Sequence, residues 1–204
     1  MTTTTYADAI KLQKEVAKKV VAKDDFGEIN RICGVDVAYS GDTAYCSAVV
    51  MDRNLQLLES VHAETVATHP YVSGLLMLRE AEPIFHVLKK LKSVDYDLLM
   101  VDAHGQLHPK KCGLACYVGV TLDKPTIGVA KSHLCGTARP DGFVELGGEV
   151  LGCVIGKKKR LYVSVGHRVS LETAVAIVKE LGIEPLRLAD INSKAQKRRK
   201  GLRP

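Results

Sequence analysis

Apolar and charged positions alternate near a helical period over residues 6–21, with Ile10, Val16 and Val20 on one side, which predicts a surface helix. Three β-branched, apolar runs follow: "RICGVDVAYS" (31–40), "TAYCSAVVMD" (43–52) and "LQLLESVHAETV" (55–66). Gly41-Asp42 and Asp52-Arg53-Asn54 separate them, so they read as an antiparallel meander. "LLMLREAEPIFHVLKKL" (75–91) is helical in composition, with Ser73 as a candidate cap and Pro83 expected to kink or interrupt it. "YDLLMVD" (96–102) is a nearly all-apolar strand, the pattern of a strand covered on both faces. A helix over 110–123 and a strand over 124–132 follow, and helical crossovers on either side favour parallel pairing there. Residues 142–166 read as a hairpin of two strands turning at Gly156-Lys157-Lys158-Lys159. "SLETAVAIVKELG" (170–182) closes the pattern as a helix capped by Ser170 and stopped by Gly182.

The order is thus a three-strand meander, two crossover strands, then a hairpin and a helix. This is the ground plan of an α/β, ribonuclease H-like domain: a central mixed sheet of about five strands flanked by helices, with an extra C-terminal hairpin and helix. A length of 204 residues suits one such domain over residues 1–191. No apolar run approaches the ~18 residues of a membrane span, and no signal peptide is legible, so the expectation is a cytoplasmic protein without a membrane partner. The six cysteines form no CxxC pair, which argues against zinc and leaves them as reduced packing thiols. Cys112 and Cys116, four apart, would share one face of a helix.

Charge adds one feature. Residues 192–204, "NSKAQKRRKGLRP", carry six Lys/Arg and no acid, and the rest is balanced at 23 basic and 23 acidic residues. A flexible basic tail with a polyanionic partner is one reading, and a solubilising end is the other. Candidate chemistry sits where acids are costly. Asp36 interrupts the first strand and Asp102 ends the fourth. If those strands are neighbours, two carboxylates face each other, an arrangement that a hard cation such as Mg²⁺ relieves. Glu80, one turn before Pro83, offers a third acid. Lys131 ends the fifth strand, a place that suits a phosphate or carboxylate partner. His104 and His108 follow Asp102 in a glycine-containing loop, and His167 precedes the last helix, where the helix N-terminus disfavours imidazolium.

"GVDVAY", "HPYVSGLLMLREAEP", "VDAHGQLHPKKCGLACYVGVTLDKPTIGVAKSHL" and "YVSVGHRVSLETA" together resemble the endonuclease V family, over about residues 10–185. The resemblance implies an endonuclease of DNA repair that recognises deaminated adenine, hypoxanthine in inosine or deoxyinosine, in DNA or RNA. It implies hydrolysis of the second phosphodiester bond 3′ to the lesion, leaving a 3′-hydroxyl and a 5′-phosphate. By position, Asp36 and Asp102 match its Mg²⁺ ligands (Mn²⁺ as substitute), Glu80 its third acid, His167 the histidine completing the cluster, and Lys131 a lysine beside the scissile phosphate. Tyr71 matches the wedge that fills the gap left by the extruded base. Gly74, Leu76, Gly105, His108, Leu114 and Leu134 match the region forming the base pocket, where glycine amides would read the acceptors of hypoxanthine. Ser73 stands where the family often has Pro, and Ala103 where it often has Gly; both bear on substrate preference rather than on metal ligands. A monomer is expected. Two alternatives remain at this point: another ribonuclease H-like nuclease acting on structured or inosine-containing RNA, and a non-catalytic nucleic-acid-binding module.

Overall fold

The computed structural model describes residues 5–201. The elements are α1 (Tyr6–Ala17), β1 (Arg31–Ser40), β2 (Thr43–Asp52), β3 (Leu57–Val66), α2 (Leu76–Leu88), β4 (Leu98–Val101), α3 (Leu114–Leu122) and β5 (Thr126–Ala130). They continue with β6 (Thr137–Ala138), β7 (Phe143–Leu146), β8 (Glu149–Ile155), β9 (Leu161–His167), α4 (Leu171–Leu181) and α5 (Glu184–Gly201). One mixed sheet takes all the strands in the order β3-β2-β1-β4-β5-β9-β8-β7-β6. The sheet therefore has nine strands rather than about five, because the C-terminal strands extend it instead of forming a separate hairpin. β4 runs parallel to β1 and β5, and every other pairing is antiparallel.

Strand period 2 divides the core between two faces. Leu99 and Val101 of β4 face α2 and α3, with Ile84, Val87 and Val118. Leu98 and Met100 face the other way, onto Ile177, Val178 and Leu186 of α4 and α5. Each of the fully buried side chains here contributes about 1.5–3 kcal/mol by leaving water. Gly34 permits α5 to lie directly on β1: a Cβ there would come within 2.3 Å of the Leu186 backbone nitrogen.

Several sequence expectations need correction. Helix α2 runs through Pro83 without interruption. The Arg79 carbonyl, four residues back and deprived of its usual donor, accepts the Tyr39 hydroxyl at 3.1 Å. The same helix begins at Leu76 with no side-chain cap, so Ser73 does not cap it. The helix expected from 110 starts only at Leu114, which leaves Cys112 outside it, though Cys112 and Cys116 are both buried beside Val16. The expected hairpin is a three-strand run, because Gly147 and Gly148, both at positive φ, turn β7 into β8. Residues 192–201 of the basic segment are helical rather than a flexible tail, and 202–204 lie outside the described residues: α5 extends to Gly201, held by packing on β1 and β2, by Asn192 to Ser60 and by Lys200 to Glu64. Among the described residues no helix is long and apolar enough to cross a membrane.

Candidate active site

β1 is longer than its neighbour β4. Their pairing ends at Val35 opposite Val101, and the next residue on each strand is an acid, Asp36 and Asp102. Sequence separation is thus converted into contact at the point where the parallel pair gives out. α5 crosses the same point and adds a third acid. Asp36, Asp102 and Asp190 present carboxylate oxygens within 4.8 Å of one another. Ser193, one turn along α5, donates its hydroxyl to Asp36 and ties the helix to β1. Lys131, just past β5, forms an ion pair with Asp102 and another with Asp190 at 3.1 Å. Lys194 reaches both Asp190 oxygens, at 2.7 and 2.8 Å.

The electrostatics are those of crowded acids. Desolvation, with repulsion from Asp102 and Asp190, pushes the Asp36 carboxyl up to about 6. Glu80, on α2, is pushed to about 8 by burial first and then by Asp36 and Asp102, with Arg79 opposing. Asp190 goes the other way. Its desolvation would raise it, but hydrogen bonds from Lys194 and Lys131 outweigh that and hold it below its ordinary value. Two ammonium groups leave three clustered carboxylates short of neutrality. A compact all-oxygen donor set with surplus negative charge fits a hard divalent cation.

The structure does not bring His167 to this cluster. β9 is antiparallel to β5, and His167 pairs with Thr126, at the opposite end of β5 from Lys131. At strand rise the two ends are about 16 Å apart. The His167 ring instead accepts from the Val21 amide and meets Asp123 at 3.2 Å, a structural setting.

A cavity of about 270 Å³ adjoins the acids, and Asp102 and Lys131 belong to its wall. Tyr71, Gly74, Leu76, His108, Leu114 and Leu134 all line it. Tyr71 stands two-thirds exposed at the rim. Gly74 has φ +78°, a conformation that favours glycine. Burial depresses the His108 imidazole to about 4; its Nδ1 accepts the Lys110 amide, which leaves the proton on Nε2, facing Gly74. Gly105 does not line the cavity. It lies beneath it, where a Cβ would come within 1.9 Å of the Val165 carbonyl oxygen. Its amide already donates to Ser164 Oγ at 2.9 Å, so it is not free to read a base.

Sequence reasoning missed Asp190 and Ser193 in the acid cluster and Gln13 in the cavity wall, where His104 also lies. The available signal for the first pair was the spacing of Leu186, Ala189 and Ser193, one buried stripe of a helix that the basic composition obscured.

The family model described as Endonuclease V matches residues 14–191. A protein named Endonuclease V from Thermofilum pendens is 41% identical over 93% of this chain and 88% of its own length. One from Roseiflexus castenholzii is 40% identical over 82% of this chain and 80% of its own. Among solved structures, Endonuclease V from Streptomyces avermitilis superposes with a TM-score of 0.84 at 32% identity, covering 97% of this chain and 96% of that one. Endonuclease V from Ciona intestinalis, crystallised with a 24mer DNA containing an inosine followed by a ribo-adenosine, has a TM-score of 0.85 at 27% identity, covering 95% and 98%.

Proposed function

The chain belongs to the endonuclease V family, and from that premise we propose that it is a Mg²⁺-dependent DNA-repair endonuclease directed to deoxyinosine. It recognises hypoxanthine and hydrolyses the second phosphodiester bond on its 3′ side. The observation that carries the reading is the shared wall: Asp102 and Lys131 belong both to the acid cluster and to the cavity. A base held in the cavity therefore lies at a fixed offset from the place where a backbone phosphate would be cut.

Asp36, Asp102 and Asp190 would hold the divalent ion, which when bound supplies positive charge at the scissile phosphate and acidity to a water. The chain's own residues do the rest. Lys131 offsets the negative charge growing on the phosphate oxygens. Glu80, the least acidic carboxyl at the site, positions the attacking water and takes its proton. Tyr71, exposed at the rim, stacks into the gap in the duplex or strand that the extruded base leaves. Extrusion costs a few kcal/mol and least for a weakly paired base, so a hypoxanthine–thymine pair is favoured before any pocket contact is made. The sheet order β3-β2-β1-β4-β5 is read as the ribonuclease H-like plan, with Asp102 at the carboxyl end of β4 and Asp36 beside it in the middle of β1.

The test is a labelled oligonucleotide with one inosine, supplied as duplex DNA, single-stranded DNA and single-stranded RNA, with Mg²⁺ and then EDTA. Cleavage should fall between the 3′ neighbour of inosine and the nucleotide after it and vanish with chelator, and Asp36→Ala should bind without cutting. Chelator-resistant cleavage, or equal cutting of an adenosine control, overturns the reading; preference for the RNA strand would reassign the substrate to inosine-containing RNA.

A further inference from the structure

Gln13 is an unusual side chain for a helix that covers the outside of a domain. It is 2% exposed, and it faces inward from α1 to the cavity wall. Its Nε2 donates twice, to the Gly74 carbonyl at 2.8 Å and to the Cys112 carbonyl at 3.0 Å. Those two acceptors belong to separate walls. Gly74 ends the turn that carries Tyr71, and Cys112 precedes the Gly113–Leu114 start of α3. Gly74 and Cys112 lie 61 and 99 residues from Gln13 along the chain. One carboxamide thus joins two loops that otherwise meet here through His108 and Gly74.

One polar atom of the carboxamide is left over. Gln13 Oε1 is buried with no hydrogen-bond partner, and so is His104 Nδ1 in the same wall. Orphaned buried acceptors are rare because they cost free energy. Turning the amide over would not help, since Oε1 would then face two carbonyl oxygens. The two N–H bonds therefore fix the orientation and leave the acceptor unspent. A residue kept only to fill space would be apolar here.

We propose that Gln13 is a positioning residue for base recognition, clamping the Tyr71–Gly74 turn to the Cys112–Leu114 segment so that the cavity is preformed. The inference rests on the reading of that cavity as the base pocket. A preformed pocket lowers the cost of ordering on binding, so the clamp acts on affinity and leaves the acid cluster untouched.

The variants are Gln13→Met, which keeps length and burial without donors, and Gln13→Glu, which keeps shape and donates only when protonated. Wild-type binding is measured by fluorescence anisotropy on an inosine oligonucleotide in EDTA, and cleavage is measured with Mg²⁺. Val178→Ala, on α4 and buried on the opposite face of the sheet, serves as a control of comparable destabilisation. Gln13→Met should weaken binding and raise KM about 10-fold or more, with kcat within about threefold. Gln13→Glu should share that defect at pH 8 and recover toward wild type, as a ratio to wild type, at pH 5. Val178→Ala should lower the melting temperature without moving KM. Unchanged KM and affinity in Gln13→Met, a loss confined to kcat, or an equal KM defect in Val178→Ala overturns the inference. Failure of the wild type to prefer inosine over adenosine would instead overturn the functional reading beneath it.

Discussion

Neutralising Glu80 should stabilise the ion-free protein while abolishing cleavage. Burial, then the charges of Asp36 and Asp102, lift this carboxyl from 4.5 to about 8. An acid whose pKa is raised on folding binds its proton more tightly when folded, so its contribution is most favourable at low pH. Stability is lost as pH rises above the unfolded value near 4.5, and the loss is complete only above the folded value near 8. Integrating between those values gives about 3 kcal/mol lost by pH 7 and about 5 kcal/mol by pH 9. Glu80 keeps partial contact with solvent although protein atoms crowd it, and this trims the pH 7 figure to about 2–3 kcal/mol. For a chain of this length that is about 4–12 °C in melting temperature. The assay is urea or thermal unfolding of wild type and Glu80→Gln from pH 4.5 to 9 in EDTA. The variant should match the wild type near pH 4.5 and exceed it by a margin that widens with pH. Added Mg²⁺ should narrow the margin by binding the native wild type. A difference that is flat with pH, or a less stable variant at pH 8, would refute the assignment of repulsion and burial at Glu80.

The acid cluster predicts that Asp190→Asn weakens divalent-ion binding by calorimetry and lowers kcat at least about 10-fold, with the fold intact by circular dichroism; unchanged ion affinity would remove Asp190 from the site. Tyr71→Ala should leave stability within about 0.5 kcal/mol because the ring is mostly exposed, yet weaken binding of the inosine strand by about 1–3 kcal/mol of lost stacking in a titration at fixed salt. His167→Ala should do the reverse: kcat stays within a few-fold of wild type while about 1–3 kcal/mol of stability is lost with the partner of the Val21 amide, and a kcat collapse in folded protein would return His167 to the catalytic machinery.

The central pairing of acids was readable from the chain because both lie on strands whose apolar runs are unambiguous, and because crossover helices favour parallel neighbours. β1 and β2 also fall on their predicted bounds, Arg31–Ser40 and Thr43–Asp52. The cavity residues around Tyr71 and His108 came from the family resemblance rather than from pattern. His167 shows what pattern lacks: alternation reveals a strand but not its direction, and an antiparallel β9 carries its last residue to the far end of β5. Gly105 was misread for a related reason, since a glycine needed for close backbone packing and one needed to admit a ligand look alike in sequence. Asp190 was hidden by composition. A run rich in Lys and Arg suggests a solvated end, and its helix forms because Leu186, Ala189 and Ser193 bury one narrow stripe against the sheet.

The crossing of α5 over β1 bears on how the protein is made in a cell. Asp36 is translated early, within the meander, whereas Asp190 arrives only after the last strand of the sheet. A nascent chain halted between Leu134 and that helix already holds every residue of the cavity wall but lacks the third acid of the cluster. On the proposed reading of the acids, the means to cut is therefore completed only when α5 emerges and docks on β1.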